Sequence, residues 1–258
     1  MLCFCAQMAS VWEMPEESLE KAERCVGRAA REGGELVCFP EQFATGWDPA
    51  SQAHVQDENG LIVTRLQEMA RRYGIAILGS YREQAHPLPR NTAVAISAQG
   101  EVMARYAKSH LFSPASEDRY FSPGGALATF GAGGISIGIA ICYDLRFASL
   151  FRLYADAGVT AVLVPAAWPE SRREHWELFI RARAVEYQMY VVGINTAGTT
   201  PVDRYAGGSM AVDPAGNVVC RAGRRESLLG CRLDPVQVER VRSAFPVARD
   251  RRDDLAAP

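Results

Sequence analysis

Apolar and polar positions alternate along the chain in two rhythms, short buried runs and helical repeats. Residues 2–7 are an apolar run that predicts a strand. Over 16–31, Leu19, Ala22, Val26, Ala29 and Ala30 fall on one helical face, and Gly33-Gly34 stops that helix. Residues 36–39 predict a buried strand that runs into Pro40-Glu41. A second helix spans 61–73, with Leu66, Met69, Ala70 and Tyr73 turned inward, followed by a strand at 75–80. Residues 91–97 and 101–107 flank Gln99-Gly100 as an antiparallel pair. The second half repeats the scheme. Strands are predicted at 135–141, 161–165 and 190–195, with helices at 147–157 and 175–187 between them. Residues 210–213 and 218–220 pair across Pro214-Ala215-Gly216, 228–233 closes a sheet, and 236–244 is a final helix. Helices alternating with near-continuous apolar strands predict an α/β layered fold with mostly buried sheets. Periodicity leads to two sheets with helices outside and leaves the strand order open.

Composition narrows the function classes. The 258 residues are 48% apolar and 22% charged, and 28 Lys and Arg offset 30 Asp and Glu, so no broad basic face for nucleic acid is expected. The pairs Arg172-Arg173, Arg224-Arg225 and Arg251-Arg252 lie beside acidic residues and read as solvated faces. No apolar run reaches the roughly 20 residues a bilayer requires, so no membrane partner is expected. The seven cysteines are odd in number and scattered. With an opening segment that reads as a first strand rather than a leader, they suit a reducing, cytoplasmic setting without a disulfide framework. No stretch resembles a linker, so residues 1–258 are expected to form a single domain, with 250–258 loose at the surface.

Three positions draw attention as chemistry. Cys142 ends the run Ile139-Ala140-Ile141 just before a helical pattern, so its sulfur would sit at a sheet edge near helical N–H groups. A free cysteine there is equally at home in a core. Glu41 ends a buried strand, where a carboxylate is either a loop charge, a cap or a base. None of His54, His86, His110 and His175 ends a predicted core strand, so a Cys–His pair is not suggested. Lys108 follows a strand; beside a cysteine and a glutamate, its ammonium would steady both and hold an oxyanion. No His-x-x-x-His, Cys-x-x-Cys or His-Glu-x-x-His spacing is present, and no glycine loop enters a helix, so neither metal nor nucleotide cofactor is expected.

Phe39-Pro40-Glu41, Lys108-Ser109-His110-Leu111-Phe112 and Cys142-Tyr143-Asp144-Leu145-Arg146-Phe147 resemble, in order, the three blocks of the nitrilase superfamily. His175-Trp176-Glu177 leading to Arg181–Glu186, and Gly208-Ser209-Met210 before Asp213-Pro214-Ala215-Gly216, extend the likeness over about residues 2–255. The resemblance implies a four-layer α–β–β–α sandwich, a Glu41–Lys108–Cys142 triad, no cofactor and a homodimer. It also implies that Glu117 is a second glutamate positioning the lysine, with Asp118 its rival. Many relatives follow the cysteine block with Pro-Glu, where this chain has Ala148-Ser149. Residues 52–59 and 86–90 match nothing in the pattern and are candidates for setting substrate choice.

Cys142-Tyr143-Asp144 is similar to the amidases of the superfamily, and Val164–Pro169 with His175-Trp176 to its omega-amidase branch. That branch releases ammonia from the terminal amide of 2-oxoglutaramate and 2-oxosuccinamate. The expected partner is thus a small-molecule amide, with the Tyr143 backbone N–H helping to bind the oxyanion. A distal carboxylate needs a cation, for which Arg146, Arg172 and Arg173 are candidates. Arg146 has an alternative as the ion-pair partner of Asp144, and Trp168 is either a pocket wall or core packing.

Overall fold

The computed structural model describes residues 1–252; residues 253–258 of the expected loose tail lie outside the described residues. Two six-stranded sheets form the centre of the molecule. The first contains β1 (Leu2–Gln7), β2 (Leu36–Cys38), β3 (Ala76–Glu83), β4 (Arg90–Ile96), β5 (Val102–Ala107) and β14 (Ser227–Arg232), in the order β14-β1-β2-β3-β4-β5. The second contains β6 (Thr129–Ala132), β7 (Ile135–Ile139), β8 (Ala161–Ala166), β9 (Tyr190–Asn195), β12 (Met210–Val212) and β13 (Val218–Arg221), in the order β13-β12-β9-β8-β7-β6. A small hairpin, β10 (Ala197–Thr199) and β11 (Arg204–Ala206), stands apart. Each sheet has three parallel strands at its centre, β1-β2-β3 and β7-β8-β9, flanked by antiparallel neighbours.

The helices are α1 (Pro15–Arg31), α2 (Leu61–Tyr73), α3 (Glu117–Tyr120), α4 (Ala148–Asp156), α5 (Arg173–Tyr187) and α6 (Pro235–Ala244). Three clusters of buried side chains record the layers. Leu19, Val26, Leu66 and Met69 of α1 and α2 pack on Val37, Ile77 and Val94 of the first sheet. Cys5, Leu78, Ile137 and Leu163 belong to the cluster between the sheets. Phe151, Tyr154, Trp176 and Ile180 of α4 and α5 cover the outer face of the second sheet. The result is the four-layer α–β–β–α sandwich. Central strands buried on both faces explain the apolar runs that lack alternation.

One close approach fixes how α5 sits. Trp176 is fully buried and donates its indole N–H to Gly208 O at 2.9 Å. A Cβ at Gly193 of β9 would lie 2.5 Å from that indole, so only glycine lets the ring lie against the strand. Among the described residues, no helix is long and apolar enough to cross a membrane.

Several boundaries differ from expectation for physical reasons. The strand expected at 135–141 ends at Ile139, and a 3-10 turn, Cys142–Arg146, precedes α4. Thr129–Ala132 forms β6, so Gly133 and Gly134, both at positive φ, make the hairpin turn to β7. The four-residue helix α3 and the β10–β11 hairpin are too short for periodicity to reveal.

Candidate active site

Strand ends deliver the functional groups. Glu41 follows β2 and is 1% exposed; Lys108 follows β5 and is also 1% exposed. The Lys108 ammonium lies 2.8 Å from Glu41 Oε1 and 2.8 Å from Glu117 Oε2. Asn91 Nδ2 donates to both acids, at 2.7 Å to Glu41 Oε1 and 3.2 Å to Glu117 Oε1. The Ala167 N–H, just past β8, donates to Glu41 Oε2 at 3.0 Å, and the Phe112 N–H donates to Glu117 Oε2 at 2.7 Å. Glu117 is fully buried whereas Asp118 is exposed, so the glutamate and not its neighbour meets the lysine.

This geometry sets the protonation states. Burial disfavours the Lys108 ammonium, yet the charges of Glu117 and then Glu41 outweigh it and raise its pKa above the ordinary lysine value. Burial pushes Glu117 up, but the Lys108 charge and the donors around it hold its carboxyl below the ordinary value. Burial, then the facing Glu41 carboxylate, drive the Cys142 thiol well above its ordinary value, and Lys108 and the Ala167 N–H offset this only in part. The sulfur at rest therefore carries its proton, and a base has to remove it before attack.

Cys142 is half-buried and holds φ at 46°, in the left-handed region that costs a non-glycine residue roughly 1–2 kcal/mol. Such a turn throws the side chain clear of the strand above the sheet edge, as a nucleophile requires.

Cys142 and Lys108 line a small, partly open cavity. Trp47, Phe112, Tyr143 and Trp168 give it aromatic walls, and Arg146, Arg172 and Asp203 supply charge. The Tyr143 ring meets Phe112 edge-on at 4.9 Å. Trp168 combines both expected readings, because it lines the cavity while packing on Trp176 at 5.5 Å. Arg146 lies over Trp168 at 5.1 Å and contacts His175 Nδ1 at 3.2 Å. It does not pair with Asp144, whose carboxylate is taken by His110, Tyr106 and the Ile141 N–H. Arg173, expected at the substrate, does not line this cavity: as the first residue of α5 it binds Glu177 at 3.0 Å and faces a separate surface groove. Its neighbour Arg172 reaches the cavity, 5.3 Å over the Phe112 ring, and among the described residues no carboxylate pairs with it. No residue of 52–59 or 86–90 lines the cavity.

Sequence reasoning missed Asn91, Trp47 and Asp203. Asn91 opens an apolar strand, and its bridging role depends on two acids 50 and 26 residues away along the chain. Asp203 arrives on the unpredicted β10–β11 hairpin.

Comparison with known proteins identifies the family. The family model for carbon-nitrogen hydrolases matches residues 5–243. The chain is 32% identical over 253 residues to the 2-oxoglutaramate amidase of Bacillus subtilis, covering 97% of each protein. It superposes with a TM-score of 0.93 on a CN-hydrolase superfamily protein of Xanthomonas campestris that has an arsenic adduct in its active site. That pair is 25% identical, covering 98% of this chain and 97% of the other. The amidase of Nesterenkonia sp. AN1, solved as a mutant with acrylamide added to its active site cysteine, is 29% identical with a TM-score of 0.85. The match covers 97% of this chain and 99% of that one. The chain belongs to the carbon-nitrogen hydrolase family, within the nitrilase superfamily, and is an amide hydrolase.

Proposed function

We propose that the chain hydrolyses the terminal amide of small carboxylate-bearing compounds, as an omega-amidase acting on 2-oxoglutaramate- or 2-oxosuccinamate-like substrates through a thioester on Cys142. The observation that carries the reading is that Lys108, paired with the buried Glu41 and Glu117, lines one small cavity together with Cys142.

Glu41 takes the thiol proton as the sulfur attacks the amide carbon. The Lys108 ammonium and the Tyr143 backbone N–H stabilise the resulting oxyanion. Glu41 returns the proton to the departing nitrogen, releasing ammonia and leaving the thioester. Glu41 next takes a proton from water, whose oxygen adds to the acyl carbon. Collapse of this second intermediate expels the sulfur, which recovers the proton, and the acid leaves. Glu117 holds the ammonium in place throughout. Arg172 is the cation for the distal carboxylate, through paired N–H bonds, while Arg146, Tyr143 and Trp168 shape the wall.

The same reading takes the protein as a single-domain, cytoplasmic homodimer that uses no cofactor. Leu178 and Val185, both exposed and seven residues apart on α5, support pairing through that face of the helix. Ammonia release from a panel of mono-amides tests the substrate class. Succinamate-like compounds should turn over with far higher kcat/KM than neutral aliphatic amides, and equal values would remove the omega-amidase reading.

A further inference from the structure

The segment after Lys108 carries a histidine that the hydrolytic cycle leaves unused. The backbone N–H and the Nδ1 of His110 both reach Asp144 Oδ1, at 2.9 and 2.7 Å. Because a buried carboxylate only accepts, Nδ1 carries the proton. Asp144 is fully buried, and its Oδ2 accepts from the Ile141 N–H at 2.9 Å and the Tyr106 hydroxyl at 2.8 Å. Ile141 immediately precedes the nucleophile, and Tyr106 lies two residues before Lys108. A single carboxylate therefore ties the thiol's turn to the segment that bears the ammonium. The imidazole is held on its other side as well: its ring lies flat on Phe147, 3.7 Å between centroids at 7°. Phe147 in turn immediately precedes α4. The turn so braced is the strained one, with Cys142 at φ 46°, and left-handed backbone persists only where its surroundings over-determine it.

We infer that His110 is a positioning residue for Cys142. Acting chiefly through Asp144, with the Phe147 stack a lesser support, it keeps the strained turn in register with Glu41 and Lys108. This rests on the proposed thioester mechanism. His110 itself touches neither substrate nor the reacting atoms.

Two substitutions separate its two contacts. His110→Phe keeps a flat ring against Phe147 and removes the donor to Asp144, whereas His110→Asn keeps a donor and gives up the stack. The readouts are kcat and KM for ammonia release from succinamate, the iodoacetamide alkylation rate of Cys142, and thermal unfolding. His110→Phe should lower kcat about 10- to 100-fold with KM within about twofold, the scale expected for a displaced nucleophile, and should slow alkylation. His110→Asn should restore kcat to within about fivefold of wild type. Three results would overturn the assignment: wild-type kcat in His110→Phe, an Asn variant as slow as the Phe variant, or failure of both His110→Phe and His110→Ala to fold. The last would make the histidine a brace of the fold alone. Cys142→Ala, assayed alongside, keeps the two ideas apart. Turnover in that variant sinks the thioester reading, whereas an inactive Cys142→Ala with a normal His110→Phe sinks only the role of His110.

Discussion

Replacing Glu117 by glutamine keeps shape and removes one charge, which makes it a sharp probe of how the lysine is held. The carboxylate accepts from Lys108 through both oxygens, from Asn91 Nδ2 and from the Phe112 N–H. An amide has only one accepting end. With its oxygen toward Phe112, its NH2 faces the ammonium and the Asn91 amide; reversed, it faces the Phe112 N–H. Either way buried donors confront one another, at a cost of about 1–3 kcal/mol for the group left unpartnered. Turning the remaining charge-assisted bond into a neutral one costs about 1 kcal/mol more. The expected loss is thus about 2–4 kcal/mol in urea unfolding with an unchanged m-value. As the ammonium drifts from the oxyanion position, kcat should fall about 100-fold. Asp118→Asn is the control and should change neither quantity, since Asp118 is exposed. A Glu117→Gln enzyme that loses less than about 0.5 kcal/mol and keeps its kcat would show that Glu117 does not hold the lysine.

The depressed pKa of Glu117 also has a pH signature. Its stabilising contribution is complete above the ordinary glutamate value of 4.5 and is lost as pH falls through the lowered folded value, so Glu117→Gln should flatten that part of the acid-unfolding curve. Because the Cys142 thiol sits well above its ordinary 9.0, peptide-mapped alkylation by iodoacetamide should climb about tenfold per pH unit from about pH 6 to 9 without a plateau. A plateau near neutrality would contradict this. Glu41→Gln removes the second-largest push on that thiol and should speed its alkylation at neutral pH while turnover collapses. Arg172→Ala should raise KM for succinamate about 10- to 100-fold, consistent with loss of a charge-assisted pair, and leave neutral amides unaffected. Arg173→Ala, bound to Glu177 on the surface, should behave as wild type, and the reverse pattern would exchange the two assignments.

Much of the architecture is written in local pattern, and what escapes it is long-range. The buried runs 36–39 and 161–165 state their identity because both faces of a central strand are covered. Glu41, Lys108 and Cys142 are each visible as a chemical side chain that ends a strand, the one place where a sheet both holds a residue firmly and exposes it. The turn at Cys142 is less legible. Its φ of 46° is accompanied by the Ile141 N–H bond to Asp144 and by the His110–Asp144 contact, the latter joining residues 34 positions apart. Asn91 and Trp47 likewise read as ordinary strand and loop residues until the partners around them are assembled. Arg172 and Arg173 look interchangeable in the sequence. The four-residue spacing of Arg173 and Glu177 on one helix face is the local clue that assigns Arg173 to the surface.

In the proposed mechanism, amide cleavage passes through an acyl group on Cys142. The most direct measurement offers hydroxylamine to the turning-over enzyme and compares succinamate with its methyl ester counterpart. A shared thioester predicts the same ratio of hydroxamate to acid from both substrates once the enzyme-free reaction of the ester is subtracted, with neither product formed by Cys142→Ala above that background. Ratios that depend on the leaving group, or hydroxamate formed by Cys142→Ala above that background, would contradict it.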